Sequence, residues 1–346
     1  MEKRLTIGIT MGDPAGIGAE ITVKSLAKRS VYEKCIPVVI GDYEAMIDAL
    51  HFCHLDRFKL NRIKTPAEAK GEYGTIDLID MELLAPGSWE YKKHSALCGD
   101  ACFQYITYAI QLALNHDIWA VITAPINKES LNMAGHHYSG HTEIFAEYTK
   151  TFKYAMLLAS GNLRVIHAST HVALREACNR ITKSRELEVI HLAKKGLELL
   201  GIENPRIAVA GLNPHCSEDG LFGWEEAKEI IPAIQEAQAE GINVEGPIPP
   251  DIVFVKAMGG MYDIVVAQYH DQGHIPLKLA GFRMNPKTGV YSSMSGINCT
   301  IGLPIIRSSV DHGTAYGKAG EGRANEESML DAIFAGITMA HHMFHL

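Results

Sequence analysis

The sequence has no CxxC pair, and its seven cysteines lie scattered along 346 residues. This pattern excludes a disulfide-stapled secreted domain and indicates reduced, mostly buried thiols. The apolar run after the charged residues 2–4 is too short for a signal-peptide core or a membrane span. These absences predict a cytoplasmic protein that has no membrane partner.

Positive charge is also in deficit, with 32 Lys and Arg against 40 Asp and Glu and a formal net charge of −8. A nucleic-acid binder would carry a basic face, so we expect no nucleic-acid partner. A small anionic substrate remains compatible with this balance, because a few well-placed cations set the local field.

Neither common glycine-rich nucleotide motif is present: the chain has no GxGxxG and no GK[ST]. The segment GDPAGIGAEI at 12–21 places glycines between a predicted strand and a predicted helix. It suits either a phosphate-cradling turn or a tight turn that needs small residues. No internal repeat or low-complexity tract appears.

Short β-branched runs alternate with longer segments of helical periodicity, which predicts an α/β protein with parallel strands and crossover helices. The segment 246–251 is interpreted as a rigid connector, and 281–298 as a mobile surface loop or lid. Strands are predicted at 5–10, 36–42, 119–125, 154–160, 163–169, 206–212 and 263–269, and helices at 16–29, 98–116, 184–201, 224–241 and 325–344.

Three histidines follow predicted strands, where open α/β proteins carry their chemistry. His171 follows LRVIHAST, His215 follows IAVAGLNP and His270 follows DIVVAQY. Imidazoles from separate strand ends can converge on one divalent metal. The alternative is hydrogen-bonded loop histidines, because the chain has 17 histidines and these match no local metal motif. Asp271, beside His270, would orient that ring or act as a general base.

Other segments supply groups for an anionic substrate. His141 and Thr142 stand at a predicted helix start, where their donors and the backbone amides suit a phosphate or carboxylate. A plain helix cap by Thr142 is the alternative. Lys278 and Arg307 would bind the anion; the alternative is that they are solvated surface charges. A desolvated Lys278 would also serve as a proton donor. The glycine-rich stretch 311–328 is interpreted as a ligand loop or as a flexible connection to the final helix.

Eight blocks in this order resemble the 4-hydroxythreonine-4-phosphate dehydrogenase family over nearly the full length: GDPAGIG, TAPINKE, GHTE, STHVALR, LNPH, YHDQG, NCTIGLP and RSSVDHGTA. The resemblance implies an isocitrate/isopropylmalate dehydrogenase-like fold, with two α/β lobes around a central cleft. The NAD-binding lobe would comprise 1–128 and 303–346, and the metal, substrate and dimerisation lobe would comprise 129–302. This fold holds its dinucleotide without GxGxxG.

The resemblance also implies roles for individual residues. His171, His215 and His270 would bind one divalent cation (Zn, Mn, Co or Mg) at or near the interface of a homodimer. The loop HGTAYGKAGEGRAN resembles the adenosine-side NAD loop of isopropylmalate dehydrogenases, which implies cofactor contacts at Gly313, Thr314, Ala315 and Asn325. The implied substrate-binding residues are His141, Thr142, Lys278, Asn298 and Arg307, and Lys278 and Asp271 are the candidate catalytic residues.

Two features resemble a paralogous branch that oxidises 4-phospho-D-threonate or 4-phospho-D-erythronate: GLFGWEE at 220–226 and HDQGHIPLK at 270–278. An insert at 283–297 separates the catalytic lysine from the family's asparagine. We therefore expect metal- and NAD-dependent oxidation of the 3-hydroxyl, followed by decarboxylation to dihydroxyacetone phosphate.

Three alternatives remain open. One is the 4-phosphohydroxy-L-threonine dehydrogenase of vitamin B6 (pyridoxal phosphate) biosynthesis. The second is a metal-dependent phosphatase or aldolase with no redox step, and the third is a non-catalytic metabolite-binding protein that keeps the fold. No basic cluster is placed for a 2′-phosphate, which favours NAD over NADP.

Overall fold

The structure, a computed structural model, describes residues 4–286 and 291–346. The strands are β1 Leu5–Thr10, β2 Cys35–Gly41, β3 Lys59–Ile63, β4 Thr75–Asp80, β5 Ala120–Thr123, β6 Ala155–Ser160, β7 Leu163–His167, β8 Ile207–Ala210, β9 Val244–Ile248, β10 Ile264–Ala267, β11 Phe282–Met284, β12 Tyr291–Met294, β13 Ile297–Ile301 and β14 Ile306–Val310. The α-helices are α1 Gly18–Leu26, α2 Arg29–Lys34, α3 Tyr43–Phe52, α4 Ala96–Leu114, α5 Lys128–Met133, α6 His141–Tyr148, α7 Leu174–Arg180, α8 Lys183–Leu199, α9 Ile231–Ala239, α10 Pro250–Met258, α11 His270–Gly281 and α12 Glu327–Phe344.

The chain divides into two units. The first comprises Met1–Thr151 and Leu303–Leu346, and the second comprises Phe152–Gly302. The segment 129–151, which the sequence placed with the second lobe, therefore clusters with the first unit. The assignment of NAD to one lobe and of metal to the other stays a prediction.

The first unit is built on parallel strands in the order β3-β4-β2-β1-β5-β14. Helices α4 and α12 pack against its central strands. Strands covered on both faces are apolar at nearly every position, because alternate side chains meet a helix layer on each side. Ile7 and Ile9 of β1 are accordingly buried, and the polar residues after the strands stand at one edge of the sheet.

The second unit has strands in the order β13-β6-β7-β10-β8-β9. The strands from β7 to β9 are parallel, whereas β6 runs antiparallel to both β7 and β13. The expectation of parallel strands was wrong for β6 and β7. Only residues 161 and 162 separate them, and a parallel pair needs a much longer crossover.

Two segments that the sequence placed outside the helices and strands contain parts of such elements. The stretch 281–298 contains the antiparallel pair β11 and β12, with Phe282 opposite Met294, which corrects the prediction of a loop without periodic structure. Residues 287–290 of the predicted insert lie outside the described residues. The connector at 246–251 contains the end of β9 and the start of α10.

The predicted α/β class is confirmed, and all the predicted strands and helices are present with ends shifted by a few residues. The helix at 224–241 begins as a π-helical turn at Glu226–Ile230 before α9. Several helices were not predicted, nor were the edge strands β3 and β9 or the strands β4, β11, β12, β13 and β14. Among the residues described, no helix is both long enough and apolar enough to cross a membrane.

Candidate active site

The carboxyl ends of β7, β8 and β10 carry the three predicted metal ligands of the second unit. His171 lies beyond β7, His215 beyond β8, and His270 is the first residue of α11 after β10. The ring centroids of His171 and His270 are 5.7 Å apart. His215 lies with its ring 6.4 Å from that of Phe222.

The ring of His270 is oriented by its sequence neighbour. Nδ1 of His270 lies 2.7 Å from Oδ1 of Asp271, which is the carboxylate–histidine arrangement that favours Nε2 as the ligand atom. Within 4–286 and 291–346, no three His, Cys, Asp or Glu side chains are grouped closely enough to hold a metal ion. The structure brings two of the predicted ligands near each other, and the complete set stays a prediction.

Two further histidines, not singled out from the sequence, stand beside His270. The ring of His274 stacks on that of His270 at 3.7 Å, and the ring of His167 lies 4.8 Å from that of His274. Burial and the other histidines lower the pKa of His167 to about 3 and that of His274 to about 4, so both rings are neutral at pH 7. The spacing of four between His270 and His274 would have revealed the pair if helix α11 had been predicted.

The two remaining candidates of the second unit, Lys278 and Asn298, lie on different elements. Lys278 is in α11, with Nζ 4.3 Å from the ring centroid of Phe282. Asn298 is in β13, opposite Leu158 of β6, and its Nδ2 lies 3.1 Å from Sδ of Met156.

A cationic site in the first unit contains the predicted anion-binding residues. Arg307 in β14 is 2 % exposed, and its guanidinium donates to Oγ1 of Thr123 at 3.0 Å. Helix α6 begins at His141 with Gly140 at its N-cap position, so Thr142 lies inside the first turn of the helix rather than at the cap. Burial and the charge of Arg307 hold the pKa of His141 well below its usual range. Its Nε2 is buried and has no hydrogen-bond partner, so this ring presents a neutral polar atom beside a buried cation.

The glycine-rich turn after β1 is joined to the C-terminal loop. Oδ1 of Asp13 accepts from the Ala15 amide at 2.8 Å, and Oδ2 accepts from the hydroxyl of Tyr316 at 2.7 Å. Burial raises the pKa of Asp13, although these two hydrogen bonds oppose the shift. The Ile17 amide donates to the carbonyl of Thr314 at 3.1 Å. The turn therefore serves as a support for the loop, in addition to connecting β1 with α1.

The predicted cofactor residues lie along this loop. A Cβ at Gly313 would meet nothing within 4 Å, which leaves room for close approach of a ligand. Thr314 packs against Gly16, and Ala315 adopts the left-handed conformation with φ of 45°. Oδ1 of Asn325 accepts from the Glu327 amide at 2.7 Å, where α12 begins. The loop offers an open backbone on a fixed support, which is compatible with a dinucleotide.

Comparison with known proteins identifies relatives over the whole chain. The family model described as pyridoxal phosphate biosynthetic protein PdxA matches residues 33–335. A D-threonate 4-phosphate dehydrogenase of Cupriavidus necator is 45% identical over 335 residues, covering 96% of this chain and 97% of that protein. A protein of the same name from Salmonella typhimurium is 45% identical over 336 residues, covering 97% of this chain and 99% of its own.

Solved structures give the same result for the fold. A crystal structure of 4-hydroxythreonine-4-phosphate dehydrogenase from Klebsiella pneumoniae matches with a TM-score of 0.84 at 44% identity, covering 97% of this chain and 98% of the other. A protein of that name from Burkholderia phymatum matches with a TM-score of 0.81 at 44% identity, covering 98% and 99%. The predicted family resemblance is confirmed.

Proposed function

Since this chain belongs to the family described as pyridoxal phosphate biosynthetic protein PdxA, we propose that it is a metal- and NAD-dependent dehydrogenase of a four-carbon 4-phosphorylated hydroxy acid. The choice of substrate rests on the identity of 45%, over nearly the full length, to proteins named D-threonate 4-phosphate dehydrogenase. The proposed substrates are 4-phospho-D-threonate and 4-phospho-D-erythronate.

The buried cation of the first unit supports a phosphorylated substrate. Arg307 supplies a permanent positive charge, while His141 stays neutral and Thr142 adds a hydroxyl. Charge-assisted hydrogen bonds from a buried guanidinium to phosphate are among the stronger polar contacts that proteins make. In the proposal these three residues hold the phosphate or carboxylate end of the substrate, and Asn298 is a further substrate-binding residue.

His171, His215 and His270 would hold the divalent cation, with Asp271 keeping His270 in the tautomer that binds through Nε2. When bound, such a cation lowers the pKa of a hydroxyl and stabilises negative charge on a neighbouring oxygen. Zinc, manganese, cobalt and magnesium are the candidates; imidazole ligands favour zinc over manganese, and magnesium prefers oxygen ligands.

In the proposed oxidation at C3 of the substrate, the hydroxyl proton goes to Asp271 or to a water that Asp271 holds. NAD, when bound, would supply the acceptor for the hydride. The resulting 3-keto acid loses CO2, and Lys278 returns a proton to the carbon or steadies the carboxylate. The product is dihydroxyacetone phosphate. Gly313, Thr314, Ala315 and Asn325 would hold the adenosine side of NAD, on the loop that Asp13 and Tyr316 support.

A second candidate is the oxidation of 4-phosphohydroxy-L-threonine in vitamin B6 synthesis. The family description and the names of the solved structures favour it. The two candidates share the oxidation and differ in the amino group on C2 of the substrate.

We also propose a homodimer with the active site at or near its interface. Helices α10 and α11 expose Val255, Ile275 and Leu279 along a groove of about 570 Å³. Exposed apolar patches of this kind mark association surfaces. A cytoplasmic location stays a prediction.

The proposal is tested by following NADH absorbance of the metal-loaded protein with 4-phospho-D-threonate, 4-phospho-D-erythronate and 4-phosphohydroxy-L-threonine in parallel. We expect turnover of an acid-sugar phosphate, loss of turnover in His215→Ala, and retention in His191→Ala, a surface histidine of α8. Preference for the amino acid would select the second candidate. Release of inorganic phosphate or of aldol products without NADH would contradict the proposal.

A further inference from the structure

Five consecutive residues after β8 have left-handed backbone conformations, and none is glycine. Their φ values lie between 45° and 69°: His215 54°, Cys216 55°, Ser217 69°, Glu218 45° and Asp219 54°. Each such residue costs roughly 1–2 kcal/mol for an L-amino acid. A run of this length persists only where the surrounding structure imposes it, so the contacts of this turn identify what imposes it.

The carboxylate of Glu226 is the centre of those contacts. Glu226 is 1 % exposed and begins the π-helical turn at Glu226–Ile230. Its Oε1 accepts from the backbone amide of Asn213 at 2.7 Å, and its Oε2 accepts from Nδ2 of Asn213 at 2.9 Å. Oε2 also accepts from the hydroxyl of Ser217. Asn213 precedes the left-handed run and Ser217 is its third residue. The side chain of Glu226 therefore connects the residue before the turn with the centre of the turn.

Neighbouring contacts reinforce this attachment. Nδ2 of Asn213 also donates to Oε2 of Glu225 at 2.8 Å, and the same oxygen accepts from the Trp224 amide at 3.0 Å. A Cβ at Gly211 would lie 2.9 Å from Sγ of Cys216, so the turn packs directly on the end of β8. Burial alone would raise the pKa of Glu226, but the hydrogen bonds from Ser217 and Asn213 outweigh it and lower that pKa. The carboxylate therefore remains charged and acts as an acceptor throughout the neutral range.

We propose that Glu226 is a positioning residue that holds the left-handed turn 215–219 and thereby fixes the direction in which His215 leaves the end of β8. The role of His215 as a metal ligand rests on the proposed function, whereas the attachment of the turn to Glu226 does not. Because the turn is intrinsically strained, removing the carboxylate frees the segment to relax toward ordinary conformations. His215 then samples positions from which it no longer binds the cation.

The test compares Glu226→Gln with Glu229→Gln. Both positions lie in the same π-helical turn, but the carboxylate of Glu229 accepts from the Lys183 amide rather than from a donor of the turn 215–219. Glutamine keeps the size of the side chain while placing an amide donor against the donors of Asn213 and Ser217. Two measurements are made on purified full-length protein: hydrogen–deuterium exchange of peptides covering 211–224 without metal, and Co²⁺ affinity by equilibrium dialysis.

In Glu226→Gln we expect faster exchange in 211–224 and Co²⁺ affinity weakened about 10–100-fold, the usual effect of losing a residue that supports a ligand. Circular dichroism reports whether the fold persists, and Ser217→Ala, which removes one of the three hydrogen bonds, gives a smaller change in the same direction. Glu229→Gln matches wild type in both measurements.

Two results would overturn the proposal. One is an exchange rate in Glu226→Gln equal to that of wild type. The other is faster exchange in Glu226→Gln with unchanged Co²⁺ affinity, when His215→Ala has lost that affinity. If wild type itself binds no Co²⁺, the metal-dependent function fails instead. The exchange measurement still decides in that case whether Glu226 holds the turn.

Discussion

Glu186 is a buried carboxyl group whose ionisation opposes folding. It lies in α8 with no exposed surface, and its Oε2 accepts from Nε2 of Gln268 at 3.3 Å. Burial raises its pKa from 4.5 to about 7, because the low-dielectric interior penalises the charged form more than Gln268 and Arg185 compensate. Between these two values the folded protein holds a proton that the unfolded chain has released.

This difference fixes the sign of a pH effect on stability. As pH rises from 4.5 to about 7 the free energy of unfolding falls, and above pH 7 the loss is constant at about 3 kcal/mol. Glu186→Gln removes the titration, so we expect it to be more stable than wild type by up to that amount at pH 8 and nearly equal at pH 4.5. Urea unfolding at the two pH values measures this. Glu198→Gln on the surface of α8 is the control, and an equal gain at both pH values would contradict the prediction.

The positions of the individual histidines explain which parts of the site could be predicted from the sequence. His171 and His270 were found because parallel strands end at a common edge, and the structure places their rings 5.7 Å apart. His274 and His167 were missed because they join the group through helix α11, whose Pro276 and mixed polarity hid its helical period. The left-handed conformation of His215 left no signal either, since turns of this type normally carry glycine.

At the scale of elements, the C-terminal loop depends on a contact with the turn after β1. The hydroxyl of Tyr316 donates to Asp13, whose carboxyl group is completely buried, and it also lies 3.4 Å from Oγ of Ser130 in α5. One hydrogen bond therefore links elements that are about 300 residues apart in the chain.

Tyr316→Phe should loosen this loop without unfolding the unit. A buried acceptor that loses its donor costs roughly 1–3 kcal/mol, part of which appears as greater freedom of 313–325. We expect the KM for NAD to rise several-fold while kcat at saturating NAD stays near the wild-type value. Steady-state NADH formation at varied NAD separates the two constants.

The control is Tyr262→Phe, which removes a tyrosine hydroxyl that donates to Glu245 at 2.7 Å in the second unit. Because the Glu245 acceptor is exposed, this variant should lower stability less than Tyr316→Phe does, and it should leave the KM for NAD unchanged. An equal rise in KM in both variants would mean that the effect of Tyr316 is general destabilisation, which contradicts a role in the loop.

Helices and strands could be predicted where burial leaves a regular pattern of apolar residues in the sequence. Strands β1 and β2 are buried along nearly their whole length and appear as apolar runs, whereas β3 has the sequence KLNRI and exposes most of it. An edge strand of that kind is fixed by pairing with its neighbour, here β4, and pairing is not visible in local composition. The antiparallel direction of β6 likewise follows from a two-residue connection rather than from the strand itself.

At the scale of the whole molecule, the second unit exposes an apolar surface along α10 and α11. Val255 of α10 is 66 % exposed and Leu279 of α11 is 71 % exposed, and both line the same groove. Side chains of this size stay in water only at a free energy cost of about 1.5–3 kcal/mol each. A second copy of the chain would cover them, in agreement with the dimer that the family resemblance implies.

Sedimentation velocity at micromolar concentration should therefore give a particle of twice the 38.0 kDa chain mass. Val255→Asp places a charge in the groove, and we expect it to sediment as a monomer with an unchanged circular dichroism spectrum. Leu114→Asp, at the exposed end of α4 in the first unit, remains dimeric. Because the proposed active site lies at or near the interface, the Val255→Asp monomer should also lose NADH formation. A fully active monomer would contradict an active site at the interface, and a Val255→Asp dimer would place the interface on another surface.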